Sequence, residues 1–213
     1  MKTTLLLIRH GFSTSNEDAT LTGQSDAPLT PLGRLQGDAA SRYLLENYKI
    51  DAVYSSDLSR AVDTVRLLAA AGYPVKTDPA LREMSCGAWE GEKIALLKER
   101  YGETYARWSD ADDTVVPEGG EAWSAVSKRM LAALLKIAEA HAGKTVAVAT
   151  HGGALRALRG AYLGIPMEAW KEKLPYAPNA STTVVVYENG AFTEEAVVDG
   201  YLGDLKTEMP RGL

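Results

Sequence analysis

Two of the three histidines in this 213-residue chain are each followed directly by glycine, in Arg9-His10-Gly11 and Thr150-His151-Gly152-Gly153. A third polar run, Ser55-Ser56-Asp57-Leu58-Ser59-Arg60, carries an arginine. Taken singly, none of these is informative. A lone histidine after a strand is more often a loop residue or a hydrogen-bonded core histidine, and a lone arginine in a first helical turn is usually solvated or ion-paired. Together, two imidazoles and two guanidiniums suit a phosphoryl group better than they suit packing. The arginine fork pairs with phosphate oxygens and stays charged at any working pH.

The elements around these runs predict that they meet. Leu5 to Ile8 is a continuous apolar run, as expected of a strand buried on both faces. Thr30 and Pro31 open a helix, as N-cap and first helical residue, with Leu35, Ala39, Tyr43 and Leu44 as its inward stripe. A short strand at 52–54 precedes a helix capped by Ser56 or Asp57, with Val62, Val65, Leu68 and Ala69 on one side and Gly72 closing it. Residues 74–77 read as a strand. From Ile94, the spacing of Leu97, Tyr101, Tyr105 and Trp108 predicts a helix, followed by an acidic loop at 110–120. Val126, Met130, Leu134 and Ile137 mark a long helix, 145–149 a buried strand, and 152–163 a helix ended by Gly164 and Pro166. Two alternating segments flank Asn189-Gly190, a hairpin signal.

Strands and helices alternate and the chain ends in a hairpin. This predicts an α/β fold, a three-layer sandwich with a mostly parallel central sheet and an antiparallel edge, in one domain over 1–213. In such a sheet ligands bind beyond the carboxyl ends of strands, where all three polar runs fall. Helices starting near Leu58 and Gly152 would aim N–H groups into the same cleft, an anion site. His141, near the end of a helix, is read as structural, a partly cationic ring favouring the helix dipole.

Composition narrows the classes. A net charge of −5 argues against general nucleic-acid or membrane binding, and no apolar run approaches a membrane span. The N-terminal apolar run is too short for a signal peptide, so a cytoplasmic protein is expected. Cys86 is the only cysteine, which leaves no disulfide or thiolate cluster, and it is expected to act as a small buried hydrophobe. Neither a metal site nor a cofactor is expected. Oligomeric state is not readable.

The residues also carry a resemblance. Arg9 to Asn16 (RHGFSTSN) resembles the signature of the histidine phosphatase superfamily, the phosphoglycerate-mutase-like fold. The likeness continues through Leu21-Thr22-Gly23, the PLTPLG run at 28–33, SSDLSRA at 55–61, Leu81-Arg82-Glu83 and ATHGG at 149–153, in order along nearly the whole chain. The resemblance implies that His10 attacks phosphorus and forms a phosphohistidine, with Arg9, Arg60 and His151 on the equatorial oxygens. Asn16 would add a hydrogen bond to the phosphoryl group. Glu83 would protonate the leaving oxygen and then activate water; without the resemblance, Glu83 would read as a surface carboxylate paired with Arg82. Gly152 is a phosphate-binding candidate, and Ser13, Thr22 and Gly23 are substrate-contact candidates. His10 must be neutral at its attacking nitrogen, with a backbone carbonyl holding the other; adjacent cations would lower its pKa.

Three activities fit that resemblance: a phosphomonoesterase on a small phosphorylated metabolite, a cofactor-dependent phosphoglycerate mutase, and a silent binding module. The mutases carry tryptophans near Asn16 and Gly23 and a His-Tyr-Gly segment after the acid. Here Ser15 precedes Asn16, Gln24 follows Gly23, and Glu83 is followed by Met84-Ser85-Cys86-Gly87-Ala88-Trp89-Glu90-Gly91. Those differences and Pro117 to Glu121 are similar to the phosphatase branch. The segment 92–121 is expected to cover the cleft as a lid.

Overall fold

The structure, a computed structural model, describes residues 1–207. In chain order it contains β1 (Thr3–Arg9), α1 (Thr14–Glu17), α2 (Pro31–Asn47), β2 (Ala52–Ser55), α3 (Ser59–Thr64), α4 (Arg66–Ala70), β3 (Val75–Thr77), α5 (Ile94–Tyr101) and α6 (Glu103–Ser109). Then follow α7 (Trp123–Ala140), β4 (Thr145–Thr150), α8 (Gly152–Leu163), α9 (Trp170–Lys173), β5 (Thr182–Glu188) and β6 (Ala191–Val198). The strands form one six-stranded sheet in the order β3-β2-β4-β1-β5-β6. The first four in this order are parallel, and β5 and β6 run antiparallel at one edge. Asn189 and Gly190 both have positive φ, 53° and 81°, as a two-residue hairpin turn requires.

Alternation along the central strands divides the core. Leu5 and Leu7 of β1 and Val146 and Val148 of β4 join one buried cluster with α7, α8 and the aromatic side chains of α5 and α6. Leu6, Ile8, Ala147 and Ala149 join the other, with α2, α3 and α4. The result is the expected three-layer sandwich. Both faces of β1 are covered, which is why its sequence does not alternate.

Three local expectations need correction. Leu35 is 54% exposed, and the buried face of α2 is instead Gly33, Gln36, Gly37, Ala40, Ser41 and Leu44. A Cβ on Gly37 would lie 2.7 Å from the Thr64 carbonyl oxygen, so close backbone approach, not a leucine ridge, sets that face. The helix after β2 is capped by neither Ser56 nor Asp57 but begins after Leu58, and it is broken at Val65; Val65 and Leu68 are buried while Ala69 is exposed. The helix from Ile94 is likewise two pieces, divided at Gly102 with φ +47°.

Candidate active site

Register brings the two histidines together. Parallel β1 and β4 pair Arg9 with Thr150, so the next residues, His10 and His151, leave the sheet side by side. Their ring centroids are 5.3 Å apart. The His10 N–H still donates to the Thr150 carbonyl, and the His10 carbonyl accepts from the Ala180 N–H and Asn179 Nδ2, so the turn is fixed on both sides. Gly11 follows because nothing larger fits: a Cβ there would lie 2.3 Å from the Gly33 carbonyl oxygen at the start of α2. The Gly11 N–H donates to Thr64 Oγ1, whose hydroxyl donates to the Arg60 carbonyl.

The hydrogen bonds also settle which ring nitrogens carry protons. The Gly11 carbonyl can only accept, so His10 Nδ1 donates to it at 2.7 Å and Nε2 keeps the lone pair. Arg60 Nε can only donate, so His151 Nδ1 accepts from it at 3.1 Å, and His151 Nε2 donates to Ser56 Oγ at 2.8 Å. The two neutral imidazoles are therefore opposite tautomers. Burial, then Arg60 and Arg9, push the His10 imidazole well below its ordinary pKa; burial, Arg60 and His10 do the same to His151. The expected cations contribute, but burial is the larger cause. Arg9 is pushed down to about 10 by burial, against the opposing charge of Glu83.

Both arginines are anchored before any substrate arrives. Arg60 Nη1 and Nη2 donate to the Ser25 and Gly23 carbonyls at 2.9 and 2.8 Å. Arg9 Nη1 donates to the Ala177 carbonyl at 2.6 Å. Gly152 carries no side chain where a Cβ would stand 3.1 Å from the Arg9 guanidinium.

Glu83 reverses one expectation about anions. The N–H groups of Gly153 and Ala154 at the start of α8 donate to its carboxylate at 2.9 and 2.7 Å, and the Met84 N–H adds a third bond. Likewise the Ser59 N–H at the start of α3 donates to Asp26. The helix ends that were to receive a substrate anion already hold carboxylates of the chain. Glu83 is not a surface partner of Arg82, which forms a two-pronged pair with Asp57. Its loop is instead clamped by Arg129, which donates to the carbonyls of Ala80, Arg82 and Glu83 and pairs with Glu121.

Asn16 is oriented by donors. Its Oδ1 accepts from the Ser13 N–H, the Ser13 hydroxyl and Asn179 Nδ2, which leaves its own Nδ2 for the cleft. Ser13 itself is buried and caps α1; it does not line the cleft, because its hydroxyl is used on Asn16 and Ser15. The cleft encloses about 690 Å³ counted to its mouth. Arg9, His10, Asn16, Arg60, Glu83 and Gly152 line one end, and Thr22 and Gly23 line its side. His151 lies beneath, fully buried. Tyr105, Trp108, Trp123 and Tyr176 also line it, whereas Tyr101 packs on Trp89. Cys86 lines it as a buried thiol whose pKa burial pushes well up, as expected of an inert side chain. His141 is structural as expected but less cationic: it caps α7 beside Tyr54 Oη, and burial with Lys76 and Lys144 pushes its pKa down.

Thr64, Ser56, Asn179, Arg129 and Tyr176 were not singled out from the sequence. Each acts through a contact distant along the chain, so no local pattern marks it. Among the described residues no cluster of His, Cys, Asp or Glu could hold a metal ion, and no helix is long and apolar enough to cross a membrane.

Known proteins show the same arrangement. A phosphoglycerate mutase structure from Bacillus anthracis str. Sterne superposes with a TM-score of 0.82 at 27% identity, covering 96% of each chain. The YhfR structure from Bacillus stearothermophilus superposes with a TM-score of 0.86 at 30% identity, covering 93% of this chain and 99% of that one. A metal-independent phosphoserine phosphatase of Arabidopsis thaliana is 37% identical over 186 residues, 86% of this chain and 76% of its own length. The model of the histidine phosphatase superfamily (branch 1) matches residues 5–200, and the chain belongs to that family.

Proposed function

We propose that the chain is a metal-independent phosphomonoesterase acting on a small phosphorylated metabolite in the cytoplasm, through a phosphohistidine on His10. The observation that carries the reading is the state of His10: neutral, buried between two guanidiniums, with Nδ1 tied to the Gly11 carbonyl and Nε2 holding its lone pair. Nε2 attacks phosphorus in line with the ester oxygen. Arg9 and Arg60 neutralise the non-bridging oxygens, where phosphoryl transfer draws most of its catalysis from positioning and charge. Asn16 Nδ2 donates to the same group. His151 holds Arg60 from below and closes the floor of the phosphoryl site. Glu83 gives a proton to the leaving oxygen, and its carboxylate then takes one from the water that cleaves the N–P bond. Thr22 and Gly23 border the substrate, and Ser13 serves by holding Asn16. The chain forms one domain, of which 208–213 lie outside the described residues, with 92–121 as its lid; Tyr105 and Trp108 of that segment in the cleft wall support this.

Hydrolysis is favoured over isomerisation because Arg9 and Arg60 are the only cations lining the cleft among the described residues. A mutase needs further basic groups to hold a substrate carboxylate. The test is phosphate release over a panel of metabolites, with and without EDTA, beside a mutase assay with 2,3-bisphosphoglycerate. Phosphate release that survives EDTA is expected. Rapid interconversion of phosphoglycerates, or a strict magnesium requirement, would overturn the proposal.

A further inference from the structure

The far end of the cleft has a chemistry of its own. Beyond the phosphoryl-binding residues the walls are Leu21, Met84, Tyr105, Trp108, Trp123 and Tyr176. Tyr105 packs on Trp108 at 5.6 Å between ring centroids, and Trp108 on Trp123 at 6.0 Å. Trp123 Nε1 is satisfied, donating to the Trp108 carbonyl at 2.8 Å. Two neighbours are not. The buried Tyr105 hydroxyl and Trp108 Nε1 have no hydrogen-bond partner among the described residues. A buried polar atom without a partner costs stability, roughly 1–3 kcal/mol, so two beside one cavity call for an occupant.

Charge narrows what that occupant can be. The cations nearest this end stand behind its walls. Arg156 lies 4.9 Å from the Tyr176 ring and donates to the Leu174 and Ser109 carbonyls, and Lys98 lies 5.9 Å from the Tyr105 ring; neither lines the cleft. Carboxylates lie closer: Glu83, Glu90 and Glu121 all add to the upward push that burial gives the Cys86 thiol, against a smaller pull from Arg60. A second anion here would lose its hydration shell without gaining a counter-ion.

We propose that this end is the leaving-group subsite for an uncharged, ring-bearing alcohol. The ring packs among Tyr105, Trp108 and Tyr176, and a neutral acceptor on it takes hydrogen bonds from Trp108 Nε1 and the Tyr105 hydroxyl. Phosphate esters whose alcohol carries a carboxylate are disfavoured. The inference rests on the proposed phosphomonoesterase reading and names its substrate class.

The test uses esters that share one leaving alkoxide environment, so reactivity does not mask fit: ethyl phosphate, 2-phenylethyl phosphate, and the para-carbamoyl and para-carboxy forms of the latter. The amide and the carboxylate match in shape and differ in charge. The expected order of kcat/KM is carbamoyl, then phenyl, then carboxy, with at least a tenfold gap between carbamoyl and carboxy. Trp108→Phe should narrow the carbamoyl-to-phenyl ratio severalfold, because it removes the donor and keeps a ring. Calorimetry with the corresponding non-hydrolysable phosphonates should give the same order in Kd. Hydrolysis in which the carboxylate equals or beats the amide would overturn this inference alone and make Arg156 the counter-ion. Hydrolysis with no preference for the ring over ethyl would do the same. If no ester is cleaved, the phosphatase reading falls, and the phosphonate affinities still decide the subsite: amide over carboxylate supports it, equal affinities refute it.

Discussion

His10 is made ready by its surroundings before substrate arrives. A single bond from Nδ1 to the Gly11 carbonyl selects the tautomer, and burial with two neighbouring guanidiniums keeps the ring neutral. Glu83 has the opposite task, since it must carry a proton when the ester oxygen leaves. If it is the acid, kcat/KM on an alkyl phosphate falls as pH rises through its titration, and that basic limb is missing from the profile of Glu83→Gln. A limb that persists in the variant would assign the proton to another group. The same substitution should lower kcat by roughly 10²–10⁴, the usual worth of general acid catalysis. Arg60 should tolerate lysine poorly. Its Nε, Nη1 and Nη2 contact three partners in fixed directions, and an ammonium cannot reproduce that fork. Arg60→Lys is expected to lose at least tenfold in kcat/KM in steady-state phosphate release.

The elements deliver these residues through backbone register and close approach. Thr30 caps α2 by accepting from the Gly33 N–H at 3.0 Å, and its own hydroxyl donates to the Phe12 carbonyl, so one side chain joins the cap to the nucleophile loop. Thr30→Ala should cost about 1 kcal/mol in urea unfolding, as other lost caps do. Gly33→Ala should cost more and reduce activity, because its Cβ would stand 2.0 Å from the Phe12 carbonyl oxygen. Caps of this kind were legible: Thr30-Pro31, Gly164 and Asn189-Gly190 all do what their types suggest. Faces were less so. Leu35 was misplaced because α2 packs through glycines, and Gln36 is buried because its amide bridges the Phe12 N–H and the Leu205 carbonyl, 169 residues apart along the chain. Periodicity counts apolar residues and cannot register a backbone that approaches a backbone.

At the scale of the whole molecule, the sheet order and the pair of histidines followed from alternation and strand ends, while the supporting shell did not. Thr64, Asn179 and Arg129 matter only once distant segments meet. Two neutral buried histidines also link the fold to pH. Both have folded pKa values below the ordinary 6.5, so the unfolded chain binds more protons as pH falls. Their stabilising contribution is complete above about pH 7 and is lost as pH falls below 6.5, by up to about 1.4 kcal/mol per pH unit for each ring. Urea midpoints at pH 7.5 and 5.5 should show that loss, and it should be smaller in His10→Gln/His151→Gln. The central claim is that phosphorus passes through His10, and the most direct measurement is to trap it there. With p-nitrophenyl phosphate the leaving group needs no acid, so Glu83→Gln should form the phosphoenzyme and discharge it slowly. Rapid quenching should then show a phosphate on the protein that is stable in alkali, lost in acid and absent from His10→Ala. A His10→Ala enzyme that still releases phosphate at the native rate would contradict the account.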